Sequence, residues 1–181
     1  MKKFRLLLPT LVLLLSSYPD VSAIDHPGAV LPVIGPERFS LVSNGVPARI
    51  VISSSDDSAV LHAAENLCED FSRVTGTRPV VSETPGPGQA IIIGTLDSPV
   101  IRAVASRGEL EVASLEGCLE KYLIQTVSNP CEGVSEALVI TGSDRRGVVY
   151  GIYELSEQIG VSPWYDWADV PVQRRENLSI A

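Results

Sequence analysis

Apolar residues recur between residues 56 and 76 at the three- and four-residue spacing of an amphipathic helix. They are Val60, Ala64, Leu67, Phe71 and Val74. Residues 56–58 can cap the start of this helix, and Gly76 can end it. The opposite side carries a polar set that could mimic a cluster of metal ligands: His62, Glu65, Asn66, Glu69 and Arg73. A solvated polar face is typical of amphipathic helices, so we expect a helix that covers a sheet and binds no metal.

A second apolar stripe is the strongest helical signal in the chain. It consists of Val148, Ile152, Leu155 and Ile159. Ser143 or Asp144 can cap the start of this helix, and Gly160 can end it. Gly147 and Gly151 lie side by side on it, and each costs about 1 kcal/mol of helix propensity. We therefore expect these glycines to allow close contact with a strand or a neighbouring domain.

Runs of β-favouring residues, separated by turn signals, predict six strands. They cover residues 39–43, 46–53, 79–82, 90–94, 122–127 and 137–141. Asn44 and Gly45 tolerate the positive φ of a type I′ turn, so the first two runs predict a hairpin. Residues 97–107 predict a shorter helix, and residues 109–120 an irregular or hairpin-like stretch.

The predicted order of elements is β-β-α-β-β-α-β-β-α. Strands interleaved with helices in this way indicate an α/β (α+β) fold, with a mixed β-sheet and helices packed on it. We expect one compact domain over residues 37–161, preceded by a Pro- and Gly-rich extended lead-in at residues 24–36.

The first 23 residues have the pattern of a cleaved signal peptide. Three basic residues precede the apolar run 6–15, and small residues end the segment at Val21-Ser22-Ala23. The run is about half as long as a bilayer core requires, so a membrane anchor is the weaker interpretation. We expect cleavage near Ala23 and a mature product that is secreted, extracellular or periplasmic, and not in a membrane.

The mature chain is strongly acidic. Of 14 basic and 22 acidic side chains, the first 23 residues hold three and one, which leaves 11 and 21 and a formal charge of −10. Lys121 is the one lysine that remains. This charge repels phosphate backbones, so we expect no nucleic-acid partner.

The three cysteines lack the paired spacing of a zinc site. Cys118 and Cys131 flank a predicted strand and are the favoured disulfide pair if the chain reaches an oxidising compartment. Cys68, on the first helix, is expected to act as a small buried hydrophobe.

Asp144, Arg145 and Arg146 follow a strand and open the last helix. The arginines could bind the carboxylate of a charged sugar, because guanidinium offers a bidentate fork. The favoured interpretation is that Asp144 caps the helix while the arginines are solvated or pair with nearby acids. The glycine spacing here is not that of a dinucleotide loop, and we expect neither a cofactor nor a catalytic residue in this chain.

The last twenty residues, 162–181, fit no helix or strand period and carry three large aromatics. Trp164, Tyr165 and Trp167 predict either a surface that another domain covers or a stacking platform for sugar rings. Asn177 begins an N-glycosylation sequon with Leu178 and Ser179.

The C-terminal third of the chain resembles glycoside hydrolase family 115, the family of xylan α-1,2-glucuronidases. The resemblance rests on Lys121-Tyr-Leu-Ile-Gln-Thr-Val, Ala137-Leu-Val-Ile-Thr-Gly-Ser-Asp-Arg-Arg-Gly, Tyr150-Gly-Ile-Tyr-Glu-Leu-Ser-Glu-Gln-Ile-Gly-Val-Ser-Pro-Trp-Tyr and Trp167-Ala-Asp-Val-Pro. It is looser over residues 50–94.

The resemblance implies an N-terminal domain of the kind found beside hexosaminidase and α-glucuronidase barrels. In such enzymes a (β/α)₈ barrel removes (4-O-methyl)glucuronic acid from xylan. It implies that residues 162–181 link this accessory domain to a catalytic barrel, its expected partner. The chain alone is then expected to be inactive, with xylan-type polysaccharide as a further candidate partner.

Overall fold

The computed structural model describes residues 38–180, so the predicted signal peptide (1–23) and lead-in (24–36) lie outside the described residues. The strands are β1 (Phe39–Ser43), β2 (Val46–Pro47), β3 (Arg49–Ile52), β4 (Val81–Ser82), β5 (Gly88–Ile93), β6 (Tyr122–Cys131), β7 (Val134–Gly142) and β8 (Leu178–Ile180). The helices are α1 (Ser58–Thr75), α2 (Pro99–Ala105), α3 (Arg145–Ile159) and α4 (Tyr165–Ala168), with a 3₁₀ turn at Val112–Leu115.

A five-stranded mixed sheet with the order β4-β3-β5-β7-β6 forms the centre of the domain. β4, β3, β5 and β7 run parallel, and β6 pairs antiparallel with β7. The predicted fold class, a mixed sheet with helices packed on it, is confirmed.

Both faces of this sheet are buried. Along β5, Ile91 and Ile93 face α1 and α3, while Ala90 and Ile92 face α2. Alternation along a strand sends successive side chains to opposite faces, so the apolar strands are covered on both sides. The result is a three-layer domain.

The helix ends follow the predicted chemistry. The carboxylate of Asp57 accepts a hydrogen bond from the N–H of Ala59 at the start of α1, and Gly76 ends the helix with φ +83°. Asp144 caps α3 by accepting from the N–H of Gly147, and Gly160 ends that helix with φ +108°. Of the two proposed caps for α3, Asp144 is the one used.

Gly147 and Gly151 allow α3 to lie against two strands. A Cβ at Gly147 would stand 2.3 Å from the carbonyl oxygen of Lys121, just before β6. A Cβ at Gly151 would stand 2.9 Å from Cγ2 of Ile140 on β7. The expected close contact is therefore with strands.

A second, three-stranded sheet has the order β2-β1-β8. The predicted hairpin is present, because Ser43 pairs with Val46 and both turn residues have positive φ, 50° at Asn44 and 76° at Gly45. The predicted strand 46–53 is wrong as one element. Pro47 lies on the edge strand of this sheet and the N–H of Ala48 still donates to the carbonyl of Leu41, but from Arg49 onward the chain pairs within the central sheet.

The C-terminal segment belongs partly to the domain. Leu178–Ile180 form β8, which pairs antiparallel with β1, and all three residues are buried. The expectation that residues 162–181 have no helix or strand is therefore wrong. The packed domain extends past residue 161, because β1 needs a partner on its second edge.

The structure does not form the expected pair of Cys118 and Cys131, since both are free thiols. Cys131 ends β6, and Cys118 lies four residues before that strand begins. A ten-residue strand is about 33 Å long, whereas the Cα atoms of a disulfide lie within about 7 Å of each other. The strand that separates the two residues in sequence therefore also keeps them apart in space.

Candidate docking surface

The two tryptophans lie on a short turn just after α3. Gly160 ends α3, and Pro163 precedes the one-turn helix α4. Trp164 is 66% exposed and Trp167 is 87% exposed. Because large aromatic side chains are usually covered in a folded protein, this pair is a candidate interaction surface.

Tyr165 turns inward, away from the exposed tryptophans. Its ring packs against the core, and the Arg73 guanidinium lies over it at 4.6 Å from the ring centroid. Arg73 also donates to the carboxylate of Asp70, at 2.6 Å. Burial opposes the charge on Arg73, but the hydrogen bond and the charge of Asp70 outweigh it and raise the Arg73 pKa. The three predicted aromatics therefore do not form one platform.

The segment after α4 is fixed to the body of the domain by backbone hydrogen bonds. The N–H of Arg175 donates to the carbonyl of Val74 at 2.9 Å, and the N–H of Gly45 donates to the carbonyl of Glu176 at 2.7 Å. β8 then pairs with β1. The tryptophan turn is thus anchored on both sides, by α3 before it and by β8 after it.

Two clefts flank Tyr165 and Asp166. The first, of about 330 Å³, lies between α1 and α3, and the second, of about 530 Å³, faces the segment after α4. Arg73, Tyr165 and Asp166 line both clefts. The surface beside the tryptophans is therefore indented and carries charged side chains.

Asp144, Arg145 and Arg146 make hydrogen bonds and ion pairs with groups close to them. Asp144 accepts hydrogen bonds from the N–H groups of Glu120 and Gly147, at 2.8 Å each. These two backbone donors hold the pKa of Asp144 below its usual range. Arg146 pairs with Glu120 at 2.7 Å, and Arg145 approaches Asp57 at 3.4 Å.

This arginine loop and the tryptophan turn are separate features. They lie at the two ends of α3, whose 15 residues span about 22 Å. Within the described residues, no other predicted site residue lies beside this arginine loop. Both arginines already pair with acidic neighbours, Arg145 with Asp57 and Arg146 with Glu120.

Asn177 is half-buried, and its Oδ1 accepts a hydrogen bond from the N–H of Asn44 at 3.0 Å. Ser179 of the same sequon is buried in β8. Glycosylation of Asn177 stays a prediction. The side chain also has a local role, because it joins the β1–β2 turn to the start of β8.

Within residues 38–180, no group of His, Cys, Asp and Glu is arranged to hold a metal ion. Glu65 and Glu69 of the polar face on α1 instead pair with Arg78. In the same range, no helix combines the length and the apolar character that a membrane span needs.

Sequence reasoning missed the importance of Asp70 and Ser156. Both residues are almost fully buried, at 5% and 4% exposure, and both line the cleft between α1 and α3. The helical spacing gives a weak signal for Asp70, which lies three residues after Leu67 and one before Phe71. Ser156 has no sequence signal beyond its place next to Leu155.

These features define a class: a three-layer α/β domain with an exposed aromatic turn between its last long helix and its last strand. The family model of the Glycosyl hydrolase family 67 N-terminus matches residues 40–155, and the chain belongs to this family. It is therefore a glucuronidase-family N-terminal domain.

The chain is also similar to a solved structure, "A novel family GH115 4-O-Methyl-alpha-glucuronidase, BtGH115A, with specificity for decorated arabinogalactans". The two share 29% sequence identity with a TM-score of 0.61, and the match covers 77% of this chain and 17% of that one. The chain thus spans about a sixth of that enzyme. No curated protein matches the chain.

Proposed function

We propose that this chain is the N-terminal accessory domain of an exported α-glucuronidase of the family 115 type. In this proposal, Trp164 and Trp167 dock against the catalytic (β/α)₈ barrel of the same full-length enzyme. That enzyme removes (4-O-methyl)glucuronic acid from glucuronoxylan, and the accessory domain does not hydrolyse glycosides by itself. Cleavage near Ala23 would release the protein to the extracellular space or the periplasm.

The exposure of the two tryptophans is the observation that carries this proposal. Tryptophan is enriched at the centres of protein interfaces, where burial of its large surface contributes much of the binding energy. Both rings lie on a turn that is anchored at each end, so docking would require little ordering of the backbone. The similarity to a family 115 enzyme six times longer than the match supports a partner domain of the same protein.

The arrangement of acidic side chains supports inactivity of the domain alone. Glycoside hydrolysis uses two carboxylates on either side of a sugar, about 5 Å or 6.5–9.5 Å apart. The carboxylates of Asp70, Glu120 and Asp144 are instead engaged with Arg73, Arg146 and backbone N–H groups. Each of these three carboxylates is therefore already held by another group, which supports the proposed lack of hydrolysis by the domain alone.

The test compares this chain with the full-length enzyme on glucuronoxylan, and on an arabinogalactan that carries 4-O-methylglucuronic acid. We expect release of the uronic acid by the full-length enzyme and none by this chain. Glucuronic acid release by the purified chain, abolished by substitution of one of its acids, would overturn the proposal. Activity on arabinogalactan alone would replace the substrate and keep the accessory role.

Docking is tested by mixing this chain with the remainder of the enzyme, produced as a separate polypeptide. We expect association that the double variant Trp164→Ala, Trp167→Ala weakens by at least about a hundredfold, as two interface tryptophans predict. Leu119→Ala is the matched control, because Leu119 is also 87% exposed and lies elsewhere on the domain. Equal association of the double variant and the control would contradict this surface.

A free-standing carbohydrate-binding module is the second candidate, based on Trp164, Tyr165 and Trp167. The exposure of the two tryptophans favours it, whereas the ring of Tyr165 is engaged by Arg73. Titration of tryptophan fluorescence with xylan fragments separates the two candidates. Saturable quenching that Trp164→Ala removes would support sugar binding.

A further inference from the structure

The cleft between α1 and α3 contains polar groups that the fold itself does not use. Its wall on α1 comes from Asn66, Glu69, Asp70 and Arg73, and its wall on α3 from Tyr153 and Ser156. The turn with Tyr165 and Asp166 closes one side. With a volume of about 330 Å³, the cleft has room for one large side chain or one sugar ring.

The charge in this cleft is negative. Three carboxylates line it, those of Glu69, Asp70 and Asp166, against the single guanidinium of Arg73. Glu69 pairs with Arg78 and Asp70 with Arg73, whereas Asp166 makes no ion pair within the described range 38–180 and acts on Arg73 only through its charge, which helps to raise the Arg73 pKa. An entering cation would meet an unpaired carboxylate, and an entering anion would be repelled.

A second observation points to a ligand and is independent of charge. The hydroxyl of Ser156 is buried, with the residue 4% exposed, and it has no hydrogen-bond partner among the described residues. Buried polar groups in native proteins nearly always have a partner, and an unpartnered one costs about 1–3 kcal/mol. Because Ser156 lines the cleft, an occupant could supply the missing hydrogen bond.

We propose that this cleft receives a basic side chain, arginine or lysine, from the barrel against which the tryptophan turn docks. The proposal rests on the proposed function, since it names the chemistry of the partner at that surface. The ammonium or guanidinium group donates to the carboxylate of Asp166 and the hydroxyl of Ser156, and the alkyl stem packs beside Tyr165. Asn66 can add an acceptor, because its Nδ2 already donates to Tyr153 and its Oδ1 is not used there.

Two other occupants fit less well. A glucuronic acid unit carries a carboxylate and would face three acids. A neutral sugar needs an open aromatic face on which to stack, and one face of Tyr165 is already covered by Arg73. A cationic side chain satisfies both the unpaired carboxylate and the unpartnered hydroxyl.

The test titrates the isotope-labelled chain with N-acetylargininamide and follows backbone amide shifts by NMR. N-acetylcitrullinamide, which has the same shape without the charge, is the ligand control. We expect saturable shifts at Asn66, Ser156 and Tyr165 with the arginine compound, weakened by added salt because the attraction is electrostatic. The citrulline compound should bind at least about tenfold more weakly, as the loss of a charge-assisted hydrogen bond predicts.

Matched variants locate the site. Asp166→Asn should weaken binding of the arginine compound by about tenfold, whereas Asp169→Asn should leave it unchanged. Both variants remove one negative charge from the same short turn, but Asp169 lines only the second cleft. Ser156→Ala should weaken binding about threefold without lowering the melting temperature, because it removes a hydroxyl that has no partner.

Equal binding of the two compounds, equal effects of the two Asp→Asn variants, or the same shifts with xylobiose would each overturn the proposal. These results would leave the docking role of Trp164 and Trp167 unaffected, because the association measurement tests that role separately. Conversely, if Leu119→Ala lost that association and the double tryptophan variant kept it, the docking role would be overturned. Cation binding in the cleft would be unaffected.

Discussion

The guanidinium of Arg73 on α1 lies over the ring of Tyr165 on α4, 4.6 Å from its centroid, and joins the aromatic turn to the body of the domain. Arg73 is held in this position by the buried carboxylate of Asp70. Asp70, Arg73 and Tyr165 thus form one chain of contacts from α1 to the candidate docking surface. These contacts hold Tyr165 in place, and Trp164 and Trp167 lie on the same short turn.

Removal of the contact between Arg73 and Tyr165 should destabilise the domain. The loss should be larger for the variant that leaves a buried charge without its partner. We expect Tyr165→Ala to lower the free energy of unfolding by about 1–2 kcal/mol, through lost packing and cation–π attraction. Arg73→Ala should cost about 2–3 kcal/mol, because it leaves the carboxylate of Asp70 buried without its partner. Urea unfolding at pH 7 measures both.

The control for these variants is Tyr165→Phe, which keeps the ring and should change the free energy of unfolding by less than about 0.5 kcal/mol. A loss for Tyr165→Phe as large as that for Tyr165→Ala would contradict a role for the ring. In that case the hydroxyl would be the stabilising group.

Because α3 lies close to the strands, we expect substitution of Gly147 to destabilise the domain more than substitution of Gly151. Gly147→Ala should cost about 2 kcal/mol or more, since the new Cβ would stand 2.3 Å from a backbone oxygen that cannot move aside. Gly151→Ala should cost less, because its new Cβ would stand 2.9 Å from a side-chain methyl group of Ile140 and not 2.3 Å from a backbone oxygen. Thermal unfolding of the two variants gives the comparison, and a reversed order would contradict the packing.

The helices were predictable because their signals are local. The apolar stripes, the caps at Asp57 and Asp144, and the glycine stops at Gly76 and Gly160 all lie within about 20 residues of the helix they define. The same holds for the β1–β2 turn. The backbone hydrogen bonds of these elements are made between residues that are close in sequence. Short windows of sequence are therefore enough to predict them.

What the sequence did not predict depends on contacts between distant residues. β8 has only three residues, and its identity as a strand comes from β1, more than 130 positions away. The turn from one sheet to the other after Pro47 likewise depends on a partner strand, β5, that lies about 40 residues later. Of the candidate site, the tryptophans were visible in composition, whereas the burial of Asp70 and Ser156 follows only from the packing of α1 against α3.

The two hydrogen bonds to Asp144 predict a pH dependence. Its pKa is lowered in the folded state, so the stabilisation is fully present above the unfolded-state pKa and is lost as the pH falls through the lowered folded-state pKa. At pH 7 we expect wild type to be more stable than Asp144→Asn, and Asp144→Asn more stable than Asp144→Ala. Asparagine keeps one side-chain acceptor for the cap but loses the second, which binds the N–H of Glu120.

Chemical unfolding of the three proteins at pH 7 and at about pH 3 measures this dependence. The advantage of wild type over Asp144→Ala should shrink at the lower pH, because protonation weakens the carboxylate as an acceptor. An advantage that grows on acidification would show that another group dominates.

The cysteines should differ in reactivity. Burial raises the pKa of the Cys68 thiol to about 11, so almost no thiolate is present at pH 8 and we expect no reaction with Ellman's reagent in the native chain. Cys118 is exposed and should react fastest, a phase that Cys118→Ala removes and Cys131→Ala retains. If protein purified without reductant lacked the Cys118 phase and regained it on reduction, the predicted pairing with Cys131 would be supported against the structure.

The pairing of β8 with β1 predicts that the domain needs the end of the tail for its stability. Leu178 is 3% exposed in the same core as Phe39 and Leu41, so Leu178→Ala should lower the free energy of unfolding by about 2–4 kcal/mol. Leu119→Ala removes the same atoms from an 87% exposed position and should change it by less than about 0.5 kcal/mol. Equal stability of these two variants would mean that the tail does not pack against the domain in solution, and residues 162–181 would then be a linker, as the sequence first suggested.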